Sequence, residues 1–148
     1  MRVVDGLFAA GFGGYYYDDQ AAIRAGVTQD EFLYRGEPVT PGFRQVRQPA
    51  ESLSVGLCLE DGHVAWGDMM TVQYSGAAGR DPLFSPGDAR RVVESRLRDR
   101  LVGLPVRSFV DSADTVASRP EGVRVLPVAV EYGISQALLR AAAHIRRI

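Results

Sequence analysis

Hydrophobic and polar residues alternate strictly over Ser52–Glu60, with Leu53, Val55, Leu57 and Leu59 on one side and Ser52, Ser54, Gly56 and Cys58 on the other. A period of two is the mark of a strand with one buried face, because successive side chains point to opposite sides of a sheet. Asp61-Gly62 follows as a tight-turn pair and Val64–Tyr74 resumes extended character, so residues 52–74 are predicted to form a β-hairpin. Upstream, residues 2–16 mix β-branched, aromatic and glycine residues in the manner of a strand with a bulge, closed by the turn-prone Asp18-Asp19. The stretch between, Gln20 to Glu51, holds no lasting period. It is expected to carry one short helical turn near Gln20–Ala25 inside a long, weakly structured loop of the kind used for binding.

The period changes after residue 84. Ser85-Pro86-Gly87-Asp88 combines an N-cap serine, proline at the first helical position and a carboxylate three residues past the cap. Ala89, Val93, Leu97 and Leu101 then recur every four residues until Gly103 and Pro105, which predicts a helix over 86–102. A shorter helix is expected over Arg107–Ser118, stopped before Arg119-Pro120. In the last segment Gln136, Arg140, His144 and Arg147 form a polar stripe, while Ile134, Leu138, Ala141, Ala142 and Ile145 line the other side. Its alanine-rich face suits close approach to another helix. Strands first and helices afterwards predict an α+β domain: a three-stranded antiparallel meander followed by a small helical bundle.

Length and charge narrow the possibilities. With 148 residues, 46% of them hydrophobic, the chain is the size of one domain, residues 1–148. A formal net charge of −1 provides no basic footprint for nucleic acid. No apolar run reaches the roughly 20 residues a membrane span needs, and no secretory pattern opens the chain, so the cytoplasm is the expected location. Cys58 is the single cysteine, which excludes an internal disulfide and reads as core filler. All 17 basic residues are arginine, so a lysine base or Schiff-base nucleophile has to come from elsewhere.

No catalytic set assembles from the remaining residues. Gly11-Phe12-Gly13-Gly14 does not lie between a strand and a long helix, and Gly76-Ala77-Ala78-Gly79-Arg80 has no lysine to complete a phosphate loop. His63 in the hairpin turn and His144 on the helical stripe are far apart in sequence and are expected to be solvated or locally bonded. Asp18-Asp19 reads as a turn, and Tyr15–Tyr17 as sheet packing for want of basic company.

Four stretches carry a resemblance: DDQAAIRAG at 18–26, GEPVTPGFRQVRQ at 36–48, LEDGHVAWGDMMTVQYSGAAGRDPLF at 59–84 and VEYGISQALL at 130–139. In this order they resemble the N-terminal part of methylaspartate ammonia-lyase, of the enolase superfamily, over about residues 5–142. The resemblance implies an enolase-type N-terminal capping domain that closes over the mouth of a (β/α)-barrel. It further implies a barrel lysine as base, Mg²⁺ held by the barrel rather than by this chain, and a small amino-acid substrate, 3-methylaspartate, converted reversibly to mesaconate and ammonia. A barrel needs roughly 200 further residues, so the resemblance carries no catalytic or metal residue onto this chain.

One site residue does carry over. The glutamine of the VQYSG motif, here Gln73, lines the substrate pocket on the amine side in the family. An amide suits that place, since its carbonyl accepts from ammonium and its NH₂ donates to a carboxylate without adding charge. The structural alternative is that Gln73 only ties the hairpin end to the next loop. Two readings of the chain follow: the small subunit of a two-chain lyase, hetero-oligomeric with a barrel subunit, or a stand-alone binding or scaffold module, with a fragment of a longer lyase as a third. The complete cap motifs, Met1 at the start and an end near the cap's last helix favour the first.

Overall fold

In a computed structural model, residues 1–71, 75, 80–118 and 126–148 are described. Strand β1 (Val3–Tyr17) pairs antiparallel with β4 (Arg47–Leu59), which pairs antiparallel with β5 (Val64–Met69), so the sheet runs β1-β4-β5. This is the expected meander, and the period-two reading of β4 holds: Leu53, Val55, Leu57 and Leu59 are all buried. The hairpin turns at Asp61-Gly62, where Gly62 has φ of 87°, a value that favours glycine. Strand β4 begins five residues before the predicted start at Ser52. Residues Arg47 to Glu51 extend because β1 runs on to Tyr17 and offers them a partner, Tyr17 facing Arg47 and Tyr15 facing Pro49. Bulges between Val3 and Asp5 and between Phe12 and Gly14 bend β1.

The segment between β1 and β4 is more ordered than its sequence suggests. It holds α1 (Asp19–Arg24), at the expected place, and a small hairpin of β2 (Thr28–Asp30) with β3 (Leu33–Arg35). Asp18, read above as a turn former, is buried, and its carboxylate accepts hydrogen bonds from the backbone N–H groups of Val39 and Thr40 and from the Thr40 hydroxyl. One side chain thereby pins a loop more than twenty positions away.

The predicted helix over 86–102 forms, but it is not uniform. Ser85 caps α2 (Pro86–Val92) by accepting from the Asp88 N–H, a π-helical turn spans Val93–Leu97, and α3 (Arg98–Leu101) completes it. A spacing of four residues exceeds the α-helical 3.6, so an unbroken α-helix would rotate the apolar row by about 40° at each step. The wider π turn offsets that drift, and Ala89, Val93, Leu97 and Leu101 all remain buried. Helix α4 (Phe109–Ala117) starts two residues later than predicted, after its cap Ser108. Helix α5 (Val128–Arg146) closes the fold.

The core lies between one face of the sheet and the helices, with Leu57, Leu59 and Met69 meeting Leu97, Ile134 and Leu138 in one cluster. Each fully buried leucine contributes about 2 kcal/mol of transfer free energy. The small-residue face of α5 approaches β5, not another helix as the sequence suggested. A Cβ on Gly67 would overlap the carbonyl oxygen of Gly133, and a Cβ on Gly133 would overlap the Met69 side chain. Two facing glycines let the strand and helix backbones nearly touch.

Candidate functional site

The rim where β5 leaves the sheet is fixed from both sides. Tyr16, buried at the end of β1, shares a hydrogen bond of 3.0 Å between its hydroxyl and the Thr71 hydroxyl. On the returning side, Asp81 accepts from the Val128 N–H at 3.2 Å. That N–H is one of the unpaired donors of the α5 N-terminus, where a carboxylate also meets the positive end of the helix dipole. Phe84 is buried just before the Ser85 cap, and Ser75 is buried between the two anchors. A cleft of about 370 Å³ opens here, lined by Thr71, Asp81, Phe84 and Val128 among others. Gln73, the residue singled out from the sequence, lies outside the described residues, as do the neighbouring positions 72, 74 and 76–79.

At the opposite end of β5 the two histidines come together, which their separation in sequence did not announce. Their rings stack with centroids 3.7 Å apart and planes 4° from parallel. His144 Nε2 lies 2.7 Å from Asp61 Oδ2, and the His63 N–H donates to Asp61 Oδ1 at 3.0 Å. The bond from His144, followed by that backbone N–H, holds the Asp61 carboxyl below its ordinary 3.8. Two other stripe residues are also engaged: Gln136 Oε1 accepts from the Asp68 N–H at 3.2 Å, and Arg140 donates to the Trp66 carbonyl at 2.6 Å. Gln136 and Arg140 thus cap backbone groups along β5, while His144 braces the preceding turn through Asp61, so both histidines are locally bonded, one of the two outcomes the sequence allowed.

The remaining reactive groups are subdued. Burial, with Asp5 adding repulsion, pushes the Cys58 thiol up, which lowers its thiolate fraction. Burial, and then the charge of Asp19, raises the Tyr34 hydroxyl. Among the described residues no group of three or more His, Cys, Asp and Glu side chains converges to hold a metal ion. The donor set of the described residues does not fit a Mg²⁺ site. No helix of the described residues is long and apolar enough to cross a membrane. What the described rim offers chemically is hydrogen bonding beside a partly apolar cleft.

Comparison with known proteins accounts for that incomplete chemistry. Residues 1–148 match the family described as Methylaspartate ammonia-lyase N-terminus. The methylaspartate ammonia-lyase of Clostridium tetanomorphum is 46% identical over 148 residues, covering the whole of this chain and 36% of that protein. Its structure as a Mg complex superposes with a TM-score of 0.89, and a structure of it as a Q73A mutant superposes equally well, at 0.89. The Citrobacter amalonaticus lyase containing (2S,3S)-3-methylaspartic acid gives 0.84 at 44% identity, over 98% of this chain and 35% of that one. A substrate-liganded L-Ala-D/L-Glu epimerase from Bacillus subtilis, at 12% identity and a TM-score of 0.58, shares the fold alone. The chain thus spans about a third of the length of the lyases it matches, at their N-terminal part.

Proposed function

Because the chain belongs to the methylaspartate ammonia-lyase N-terminal family, we propose that it works as the cap of such a lyase, with the barrel on a separate polypeptide. The complex would catalyse reversible elimination of ammonia from 3-methylaspartate to give mesaconate. The observation that carries this reading is the end-to-end agreement in sequence and fold with the capping part of these enzymes. The cap's own contribution is to close the pocket, exclude water and supply Gln73, which lies in sequence between the Thr71 and Asp81 anchors. The relative's Q73A mutant agrees with Gln73 here in number and residue type. With its carbonyl toward the ammonium and its NH₂ toward a carboxylate, the amide orients the substrate without adding charge. Mg²⁺ held by the barrel's carboxylates would supply stabilisation of the negative charge that develops on the substrate.

Co-expression with a lyase barrel polypeptide tests the reading: a stable complex that forms mesaconate only when both chains are present is expected. In that complex Gln73→Ala should lower kcat/KM at least about tenfold, about 1.4 kcal/mol of lost transition-state stabilisation, with the complex intact on gel filtration. Two chains that do not associate would remove the two-polypeptide arrangement. The relatives' greater length favours a second reading, in which the barrel follows in the same polypeptide. The reading frame beyond the codon for Ile148 separates the two.

A further inference from the structure

The three consecutive tyrosines have basic company after all. Strand pairing sets Arg47 opposite Tyr17, and the Arg47 guanidinium lies over the Tyr15 ring, 4.4 Å from its centroid, and 5.4 Å from that of Tyr17. Stacking on aromatic faces favours the cation but satisfies none of its N–H groups. Among the described residues Arg47 Nε is the one buried side-chain nitrogen or oxygen without a hydrogen-bond partner, and no carboxylate ion-pairs with Arg47. A partly buried guanidinium without a counter-ion is a costly arrangement that a bound anion would relieve.

Arg47 lines a cleft of about 760 Å³ between the start of β4 and the β2–β3 hairpin, together with Arg44, Glu37, Tyr15 and Tyr34. Among the described residues the Arg44 side chain has no ion pair either. The charged lining residues, two arginines against one glutamate, leave one net positive charge. Phe32 and Leu33, at the tip of the hairpin, bring apolar surface to the same cleft and are 79% and 71% exposed. We propose that this cleft is a binding site for a small organic monocarboxylate, whose carboxylate bridges Arg47 and Arg44 while its apolar body rests on Tyr15, Phe32 and Leu33. The planar guanidinium matches a carboxylate in two-point fashion, and Glu37 disfavours a second negative charge. Among the described residues the cleft shares no lining residue with the one at the Thr71 rim, and the proposal does not rest on the lyase reading.

Titrating the 148-residue chain alone with benzoate, and following its amide and arginine Nε–H signals by ¹H–¹⁵N NMR, tests this. Saturable shifts at Tyr15, Tyr34 and the Arg47 Nε–H are expected, with neutral benzamide binding at least about tenfold more weakly. Arg47→Met should abolish saturation. Arg44→Gln, at an exposed position, should weaken binding about threefold or more with the fold intact, so the proposal stays testable if the Arg47 variant does not fold. Equal affinity for benzamide, tighter binding of inorganic phosphate at the same signals, or no saturable shift with benzoate would each overturn it. Because no barrel is present in the titration, failure of the two-chain assembly leaves this result untouched.

Discussion

The two edges of the three-stranded sheet are treated in opposite ways. Strand β5 is an edge in the ladder, yet Gln136, Arg140 and His144 of α5 bond in turn to the Asp68 N–H, the Trp66 carbonyl and the Asp61 carboxylate. Strand β1, at the other edge, is tied at its start, where Val3 exchanges hydrogen bonds with Gly103 and Leu104. Beyond that, among the described residues, β1 has no second backbone partner strand. Its two bulges and the glycines at 11, 13 and 14 interrupt the regular row of donors and acceptors that an edge presents for unwanted pairing. The sheet thus protects one edge by covering it and the other by irregularity. Covering needs a helix close enough for side chains to reach the strand backbone, which is why Gly67 and Gly133 face each other.

Breaking the covered edge should have the largest effect. Gly67→Ala puts a methyl group into the α5 backbone, so helix and strand must separate and the two edge bonds, from Gln136 and Arg140, lengthen together. A loss of about 3 kcal/mol or more is expected in denaturant unfolding. Wild-type stability in that variant would mean that the close approach is not needed for the fold. Removing the bonds without the steric conflict, by Gln136→Ala with Arg140→Ala, should cost about 1 to 3 kcal/mol, two hydrogen bonds, one of them charged. Hydrogen exchange should then quicken at Asp68 more than at β4 amides.

The Asp61–His144 contact sharpens the comparison through pH. Because the Asp61 carboxyl is held below its ordinary 3.8 in the folded chain, it favours folding above that value, and the contribution disappears as pH falls through the lowered folded value. Asp61→Asn should therefore lower stability above about pH 4 and change it little at lower pH, which flattens the acid limb of the stability–pH curve. An unaltered acid limb would mean that the pair adds nothing. At the uncovered edge, Phe12→Lys at a 73% exposed position should change stability by less than about 0.5 kcal/mol. A larger loss would show that β1 relies on packing beyond β4.

Much of the frame was legible because it depends on neighbours in sequence. The alternation at Leu53–Leu59, the Ser85 cap and the Asp61-Gly62 turn are local patterns with local causes, and each is found where its residues place it. The β2–β3 hairpin and the first residues of β4 were not legible, since Arg47 to Glu51 extend only because β1 lies beside them. The candidate site divides in the same way. Gln73 was reached through a family motif rather than through its own chemistry. The role of Asp18 as a loop anchor left no sign in a dipeptide that looks like any turn.

Sequence alone determined the order of the three main-sheet strands and the helices after them, which faces are apolar, where the main helix is capped and that no lysine is present to act as a base. Only the tertiary structure decided what the polar residues touch. A stripe such as Gln136, Arg140 and His144 has the same period whether it meets water or a strand edge, and a glycine has the same letter in a turn and in a backbone contact. Their partners lie about seventy to eighty positions away, Asp68 for Gln136 and Asp61 for His144. Periodicity reports the geometry of one element, whereas those partners are set by how two elements pack.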